Sequence, residues 1–319
     1  MSYPILVLIL LCAMLDGAGS AHAQAYPAKP IRIVTGSVSS NGNFVSRILA
    51  QGLSGSFGQQ VIVDNRTSGI ILGDAVARAP ADGYTLLSTG ASFWLAQFFS
   101  DNVPWDALRD FVPITLAASA PNLIVVHPSL PVKHVHGLIA LARSRAAQLN
   151  YASGSTGSAP HLAAELFNYM ARVNIVRINY KGAASALTDL MAGQVQLMFP
   201  NLGTVSQHVK SGRLRALAIT SAQPSALFPG LPTVASSGLS GYHAEVLNGI
   251  FAPAKTPPAI VSKLNQEMVR ILERADVKEK FFNTGVEAIG STPEQLTAAV
   301  KSEMSLLGRL IRDLGIRDE

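Results

Sequence analysis

The amino-acid sequence predicts an α/β protein built as two lobes, and two observations support this fold class. Short β-rich runs alternate with helical runs in two successive series, which is the order that produces sheets of mainly parallel strands flanked by helices. The chain has 319 residues, of which 48% are hydrophobic and 14% are charged. That is enough apolar material for two hydrophobic cores, so we expect one core for each series.

The first series runs from residue 31 to residue 89 in a βαβαβ order. Its strands and helices are IRIV (31–34), FVSRILAQGL (44–53), VIVDN (61–65), ILGDAVARA (71–79) and YTLLST (84–89). The second series begins with the strand NLIVVHP (122–128). It continues with a helix over 136–147, a strand over 149–153, a helix from His161, a strand over 173–180, a helix over 186–193 and strands over 194–199 and 214–220.

The C-terminal part of the sequence is predicted to be almost entirely helical. One helix spans 257–275, with Pro257 and Pro258 at its start, and another spans about 293–314. Helices without a sheet of their own need one to pack on, so we expect them to return to the first lobe. The predicted lobes are therefore 24–124 plus 249–319 for lobe 1, and 125–248 for lobe 2.

Residues 1–23 are predicted to be a signal peptide, which directs the mature chain to the periplasm. An apolar run over residues 5–15 is too short to span a bilayer and is followed by Ala21-His22-Ala23. The segment before the run contains no Lys or Arg, so a short buried or amphipathic N-terminal helix is the alternative. Cleavage after Ala23 would remove Cys12, the only cysteine of the chain.

The sequence contains no recognisable catalytic or cofactor-binding motif. Ser158 and His161 are the nearest approach to a nucleophile and base, but their spacing favours Ser158 as a helix N-cap that accepts from the N–H of His161. His134 and His136 indicate solvated or capping side chains rather than a metal site. We therefore expect no enzyme activity, no cofactor and no metal. The formal charge of +5 comes from scattered basic residues, which argues against nucleic-acid binding.

Three stretches of small polar residues each lie between a predicted strand and the helix after it. They are TGSVSSNGN (35–43), STGAS (88–92) and SGSTGSAP (153–160). Ligands of open α/β sheets bind outside the carboxyl ends of the strands, where the N–H groups of a helix N-terminus attract anions. Each stretch alone could be a tight turn, but the three together predict an anion site between the lobes.

Several of these segments resemble the periplasmic receptors of tripartite tricarboxylate transporters, also called Bug proteins. The resemblance is carried by YPAKPIRIV (26–34), VDNRTSG (63–69), APADGYTLL (79–87), LNYASGSTGSAPHLAAELF (149–167), YKGAASALTDLMAGQVQLMF (180–199), LRALAITS (214–221), LPTVASSG (231–238) and FAPAKTPP (251–258). It implies a two-lobe Venus-flytrap of the type II periplasmic binding class, with mixed or parallel sheets. It also implies a small organic carboxylate as ligand, membrane transporter subunits as partners, and a monomer.

In that family the carboxylate is held largely by backbone N–H groups and waters, from the first βα loop and from the loop that matches 153–158. The resemblance and the three polar stretches together predict fifteen ligand-binding residues. They are Ser37, Ser39, Ser40, Asn41, Asn43, Thr89, Ser92, Ser155, Thr156, Gly157, Ser158, His161, Tyr180, Lys181 and Asn201.

The sequence departs from the family pattern at the predicted site. Val38, Ser39 and Ser40 stand in a region where the family usually has Pro-Pro-Gly-Gly, and Asn43 stands where an Asp is usual. Pro200 also replaces the Asp that usually precedes Asn201. An atypical ligand, a degraded site, and a clamshell sensor that signals to a membrane partner without transport all remain open alternatives.

Overall fold

The computed structural model describes residues 26–38, 40–66 and 69–317. The predicted signal peptide, Cys12 and the predicted ligand residue Ser39 lie outside these ranges. Within them, no helix is long and apolar enough to cross a membrane.

The first sheet has six strands in the order β11-β4-β10-β3-β1-β2. Strand β1 pairs in parallel with β2 and β3, whereas β10 pairs in antiparallel fashion with β3 and β4, as β11 does with β4. The strands are β1 (Ile31–Thr35), β2 (Val61–Asn65), β3 (Thr85–Thr89), β4 (Phe111–Pro121), β10 (Glu245–Pro253) and β11 (Glu287–Ala288).

The second sheet has five strands in the order β7-β6-β8-β5-β9. Strand β6 pairs in parallel with β7 and β8, and β5 pairs in antiparallel fashion with β8 and β9. The strands are β5 (Leu123–Val126), β6 (Asn150–Ser153), β7 (Val176–Asn179), β8 (Leu197–Met198) and β9 (Arg215–Ile219). Both sheets are mixed, which confirms the predicted fold class.

Helices flank both sheets. Those along the first half of the chain are α1 (Asn41–Phe57), α2 (Gly69–Ala77), α3 (Ala91–Trp94), α4 (Ala96–Phe99), α5 (Val135–Ser144) and α6 (Ala159–Ala171). The later ones are α7 (Ala183–Met191), α8 (Leu202–Lys210), α9 (Pro258–Leu272), α10 (Ala275–Asn283) and α11 (Pro293–Asp313).

The chain changes sheet twice. It leaves the first sheet between Pro121 and Leu123 and returns to it between Ile219 and Glu245. The lobe boundaries predicted near residues 124 and 249 lie close to these crossings and stay a prediction.

Strands β4 and β10 are neighbours inside the first sheet, and the sequence patterns did not predict either of them. Strand β4 is buried along most of its length and contains Pro113, and a run of that kind lacks the alternation of a half-buried strand. Pro113 pairs with Phe251 next to a register shift in the ladder, where a missing N–H is tolerated.

One hydrophobic cluster extends through both lobes. It includes Trp94 near the first sheet, Leu162 and Phe167 of α6, and Leu307 and Leu310 of α11. Helix α9 packs on β4 and α1, as expected for a C-terminal helix that returns to the first lobe. Helix α11 also packs on β4 but contacts α6 as well, so it joins the two lobes.

Candidate functional site

Two adjoining cavities lie where the strand ends of the first sheet face the start of α6. The polar cavity, of about 320 Å³, is lined by Thr35, Gly36, Ser40, Asn41, Gly42, Arg66, Leu72, Ser88, Thr89, Gly90, Ser92, Val246, Leu247 and Asn248. The apolar cavity, of about 240 Å³, is lined by Gly90, Ala91, Ser92, Leu95, Phe99, Gly157, Ser158, Ala159, Leu162, Ala244, Glu245, Val246 and Leu307.

Loop 1, residues 36–40, joins β1 to α1 and borders the polar cavity. Ser40 is the N-cap of α1, and its side chain accepts from the backbone N–H of Asn43 at 3.1 Å. The Ser40 hydroxyl donates in turn to the carbonyl of Ser37 at 2.7 Å. These bonds fix the direction in which the first turn of α1 faces the cavity.

The side-chain amide of Asn43 holds loop 1 in place through hydrogen bonds. Its Nδ2 donates to the Val38 carbonyl at 2.7 Å, and its Oδ1 accepts from Asn65 Nδ2 at 3.0 Å. Asn65 also donates to the Gly36 carbonyl at 2.7 Å. Asn43 is 5% exposed and is absent from the lining of the polar cavity, so its amide holds the loop in place.

Three hydrogen-bond donors at the polar cavity are left unused by the described residues. The backbone N–H groups of Asn41 and Gly42, at the first turn of α1, have no acceptor there. Arg66 follows β2, and its backbone N–H donates to the Thr35 carbonyl at 2.9 Å. Its Nε and Nη2 donate to Asp64 at 3.3 and 3.0 Å, and no described residue accepts from Nη1.

The floor of the polar cavity is a buried polar group of side chains beneath Gly42. The Thr35 hydroxyl donates to the Ser88 carbonyl at 3.0 Å, and the Ser88 hydroxyl donates to Oδ1 of Asn248 at 3.2 Å. A Cβ at Gly42 would lie 2.9 Å from Thr35 Oγ1 and 3.2 Å from Asn248 Nδ2. A glycine is therefore needed where α1 approaches this floor.

Loop 2, residues 154–158, joins β6 to α6 on the other lobe, and Arg177 of β7 fixes its shape. Arg177 Nη2 donates to the Gly154 carbonyl at 2.6 Å, and its Nη1 donates to Thr156 Oγ1 at 3.1 Å. Its Nε donates to Ser153 Oγ at 2.8 Å. Most of this guanidinium is committed to the loop, so it is a structural clamp.

His161 closes the other end of loop 2. Its Nδ1 accepts from the backbone N–H of Gly157 at 3.0 Å. Burial, with a contribution from the positive charge of Arg177, lowers the pKa of His161 to about 4, so the ring is neutral at pH 7. Its Nε2 lies 4.0 Å from Oε1 of Glu165, which also accepts from the Tyr151 hydroxyl.

The expectation that Ser158 accepts from the N–H of His161 is wrong. Ser158 is the N-cap residue of α6, but its side chain makes no capping hydrogen bond. Its Oγ is buried and has no partner among the described residues. The N–H of Ser158 donates to the Ser155 carbonyl at 3.1 Å, so loop 2 closes on itself as a tight turn.

Comparison with known proteins identifies the chain. The family model described as the tripartite tricarboxylate transporter family receptor matches residues 45–316. The chain belongs to this receptor family. Protein BugT of Bordetella pertussis is 34% identical over 305 residues, which cover 94% of each chain. A protein from the tcbD-tcbE intergenic region of Pseudomonas sp. strain P51 is 34% identical over 311 residues, which cover 95% of this chain and 91% of that one.

Solved structures agree with this assignment. An R. palustris protein solved with adipate is 32% identical, with a TM-score of 0.72 over 92% of this receptor and 99% of that chain. The periplasmic binding protein BugD is 30% identical, with a TM-score of 0.69 over 92% and 100%. With the match to the receptor family, these similarities make the receptor a solute-binding protein rather than an enzyme.

The structure brings six of the predicted ligand residues to the two cavities. Ser40, Asn41 and Thr89 line the polar cavity, Gly157 and Ser158 line the apolar cavity, and Ser92 lines both. Ser37, Asn43, Ser155, Thr156 and His161 lie in or against the two loops without lining either cavity.

The remaining three predicted residues lie away from these two cavities. The Tyr180 hydroxyl donates to Asp189 at 2.8 Å, and burial together with that bond raises its pKa to about 12. Lys181 is exposed just after it. Asn201 caps α8 by accepting from the N–H of Thr204 at 3.0 Å.

Arg66 is a charged residue of the polar cavity that was not among the predicted ligand residues. It stands in the quoted segment VDNRTSG, directly after a predicted strand, so its position was available as a signal. Leu95, Phe99, Glu245 and Leu307 carried no comparable signal, because only the packed structure brings them to one cavity. Within the residues that the structure describes, no group of three or more His, Cys, Asp or Glu side chains is arranged to hold a metal ion.

Proposed function

We propose that the receptor captures a small organic anion by holding its carboxylate in the polar cavity. The observation that carries the proposal is that Asn41, Gly42 and Arg66 line one cavity, while the N–H groups of the first two and the Nη1 of Arg66 have no acceptor among the described residues. A carboxylate has two oxygens and about four lone-pair sites, which suits three donors of this kind.

The electrostatics of the polar cavity favour an anion. The N-terminus of α1, a helix of 17 residues, carries the positive end of its dipole. Arg66 adds a guanidinium, and its partner Asp64 is shared with Arg32, whose Nη1 lies 3.8 Å from Oδ2, so two positive charges face one carboxylate. Support for a carboxylate also comes from the relative of 32% identity that was solved with adipate.

Loop 2 supplies fewer donors than the sequence suggested. The N–H groups of Gly157 and Ser158 are already bonded to His161 and Ser155. The Thr156 N–H and the Ser158 hydroxyl are among the donors of loop 2 that have no acceptor in the described residues. In this proposal loop 1 and Arg66 bind the carboxylate, and loop 2 completes the site from the other lobe when the cleft closes around the ligand.

The biological setting follows from family membership and is part of the proposal. The receptor is exported by its N-terminal segment, acts as a monomer in the periplasm, and delivers its ligand to the membrane subunits of a tripartite tricarboxylate-type transporter. No cofactor or covalent step enters this function.

Thermal unfolding in the presence of carboxylates tests the proposal. A ligand that binds only the folded state stabilises it by about 2.7 kcal/mol at a concentration of 100 Kd, so a binding carboxylate raises the Tm of the receptor. Arg66→Gln should weaken binding about tenfold or more, since a charge-assisted hydrogen bond to the carboxylate is lost. Arg78→Gln, which removes an exposed ion pair with Asp74, is the matched control and should bind as the parent does.

Two outcomes would contradict the proposal. If no mono-, di- or tricarboxylate raises the Tm, the receptor does not bind carboxylates. If a carboxylate binds the parent and Arg66→Gln equally well, the carboxylate site lies elsewhere on the molecule.

A further inference from the structure

We propose that the apolar cavity selects the class of ligand, and that the ligand is a monocarboxylate with a compact apolar tail, such as a ring or a branched chain. This inference rests on the proposed carboxylate site in the polar cavity. Gly90, Ser92 and Val246 line both cavities, so the two cavities adjoin at these residues. A ligand held by its carboxylate at loop 1 extends its remaining atoms into the apolar cavity.

The walls of the apolar cavity suit hydrocarbon. Leu95, Leu162 and Leu307 are at most 4% exposed and present buried aliphatic side chains to it, and the half-buried Phe99 adds an aromatic ring. An apolar cavity of about 150 Å³ is known to accept benzene. At about 240 Å³, the cavity has room for one six-membered ring or a short branched chain.

Glu245 makes this cavity unfavourable for a second carboxylate. Glu245 is among the residues that line the cavity, and its carboxylate accepts from the Ser119 hydroxyl and from the backbone N–H of Ala222 at 2.9 Å. Two negative charges repel strongly where few water molecules can screen them. A dicarboxylate anchored at loop 1 would place its far carboxylate in the same cavity as Glu245, so the repulsion between the two charges disfavours it.

The hydroxyls of Ser92 and Ser158 are the side-chain donors among the residues that line this cavity, and neither carries a positive charge. The Ser158 hydroxyl is the buried polar group beside the apolar walls that has no described partner. A single hydroxyl accommodates a small polar substituent on the tail, but it does not neutralise a carboxylate.

Isothermal titration calorimetry on the mature receptor tests this inference. The monocarboxylate probes are benzoate, cyclohexanecarboxylate and 3-phenylpropionate, and the dicarboxylate probes are adipate and malate. The best monocarboxylate should bind about tenfold or more tightly than either dicarboxylate, as the repulsion from Glu245 requires. Phe99→Ala should weaken that monocarboxylate about tenfold, because part of the apolar wall is removed.

The Glu245→Gln variant tests whether the charge of Glu245, rather than the shape of the cavity, disfavours a dicarboxylate. It should strengthen adipate binding about tenfold and leave the best monocarboxylate within about twofold, because only the dicarboxylate meets the charge. Glu287→Gln is the matched control, because Glu287 also accepts from a serine, Ser225, but does not line the cavity. This control should change neither affinity.

The proposed carboxylate function and the proposed preference for a monocarboxylate are contradicted by different results. If adipate or malate binds more tightly than every monocarboxylate probe, the inference is wrong and the proposed carboxylate receptor stands. If Glu245→Gln leaves the ratio of adipate to monocarboxylate affinity unchanged, Glu245 does not set the specificity and the inference is also overturned. If no carboxylate of either class binds, both proposals fall.

Discussion

The backbone N–H of Gly157 donates to Nδ1 of His161 at 3.0 Å, and this bond fastens loop 2 to the first turn of α6. Only a ring with an unprotonated Nδ1 can accept it. Burial and the nearby Arg177 keep the ring in that state by lowering its pKa to about 4. The geometry of loop 2 therefore depends on the protonation of one buried side chain.

The first prediction is that the receptor loses stability at acidic pH because His161 takes up a proton when the protein unfolds. Its pKa is about 4 when folded and about 6.5 when unfolded, so between these values the unfolded state binds more protons and acidification favours unfolding. The contribution of His161 to the free energy of unfolding is fully present above about pH 6.5. It decreases by up to about 3 kcal/mol as the pH falls to about 4. Urea unfolding at several pH values checks this, and His161→Gln should have a flatter profile. Parallel profiles for parent and variant would contradict it.

The second prediction concerns Glu303 of α11 and has the opposite sign. Its Oε2 accepts from Trp94 Nε1 at 2.7 Å, and burial, followed by the charge of Glu245, raises its pKa to about 8. The folded state therefore binds the extra proton between about pH 4.5 and 8, and the stability from Glu303 is lost as the pH rises through that window.

Glu303→Gln should abolish the loss of stability that the buried Glu303 causes as the pH rises. The variant should match the parent near pH 4.5 and exceed it above pH 8 by an amount on the order of 4 kcal/mol, since a neutral amide needs no proton. Trp94 and Trp105 are the only tryptophans, so indole fluorescence follows unfolding from within the same region. A variant that is less stable than the parent at pH 8 would show that the buried carboxyl is ionised in the fold.

The third prediction separates ligand binding from helix capping at Ser158. Because its hydroxyl makes no capping bond and no other bond to a described residue, Ser158→Ala should change the stability of the ligand-free receptor by less than about 0.5 kcal/mol. Affinity for a carboxylate that reaches this hydroxyl should fall by about 1 kcal/mol. Differential calorimetry with and without ligand measures both. A destabilisation above about 1 kcal/mol without ligand would restore the capping role.

The fourth prediction compares two glycines of α1. Gly55→Ala places its Cβ in open space, so it should stabilise the receptor by about 0.5–1 kcal/mol through helix propensity. Gly42→Ala places its Cβ 2.9 Å from Thr35 Oγ1, which should cost about 1–2 kcal/mol in overpacking and weaken carboxylate binding. Thermal melts and calorimetry on both variants check this. Equal stability for the two variants would show that the floor of the polar cavity adapts freely.

The fifth prediction concerns the contact between the lobes at Gly157. Its φ of +75° lies in the left-handed region, and a Cβ there would lie 3.0 Å from the ring of Phe99. Gly157→Ala should cost about 1–2 kcal/mol of stability from the backbone alone, with a further cost from the ring contact. Adding Phe99→Ala should recover only the ring part, which a double-mutant cycle measures. Strict additivity would mean that the two residues do not touch in solution.

The sequence by itself determined the strands and helices whose signals are local. Strands β1, β2 and β3 and the helices between them follow from short apolar runs, since side-chain periodicity depends on neighbouring residues only. The polar stretches at the strand ends were visible for the same reason. The two successive series predicted two lobes, and the resemblance to a receptor family added the Venus-flytrap class, with which the fold agrees.

Only the tertiary structure decided the antiparallel centre of the first sheet. Strand β10 brings residues 245–253 between β3 and β4, and Pro113 is accommodated there by a local register shift. A sequence pattern does not report which strands become neighbours, because that choice is made by long-range packing.

The two cavities were decided in the same way. Leu95, Phe99, Leu162, Glu245 and Leu307 come from four separate parts of the chain and meet at one space. The contacts of Gly157 likewise depended on where His161 and Phe99 come to lie. A loop sequence shows which donors exist, but the neighbours brought by folding decide which of them remain free for a ligand.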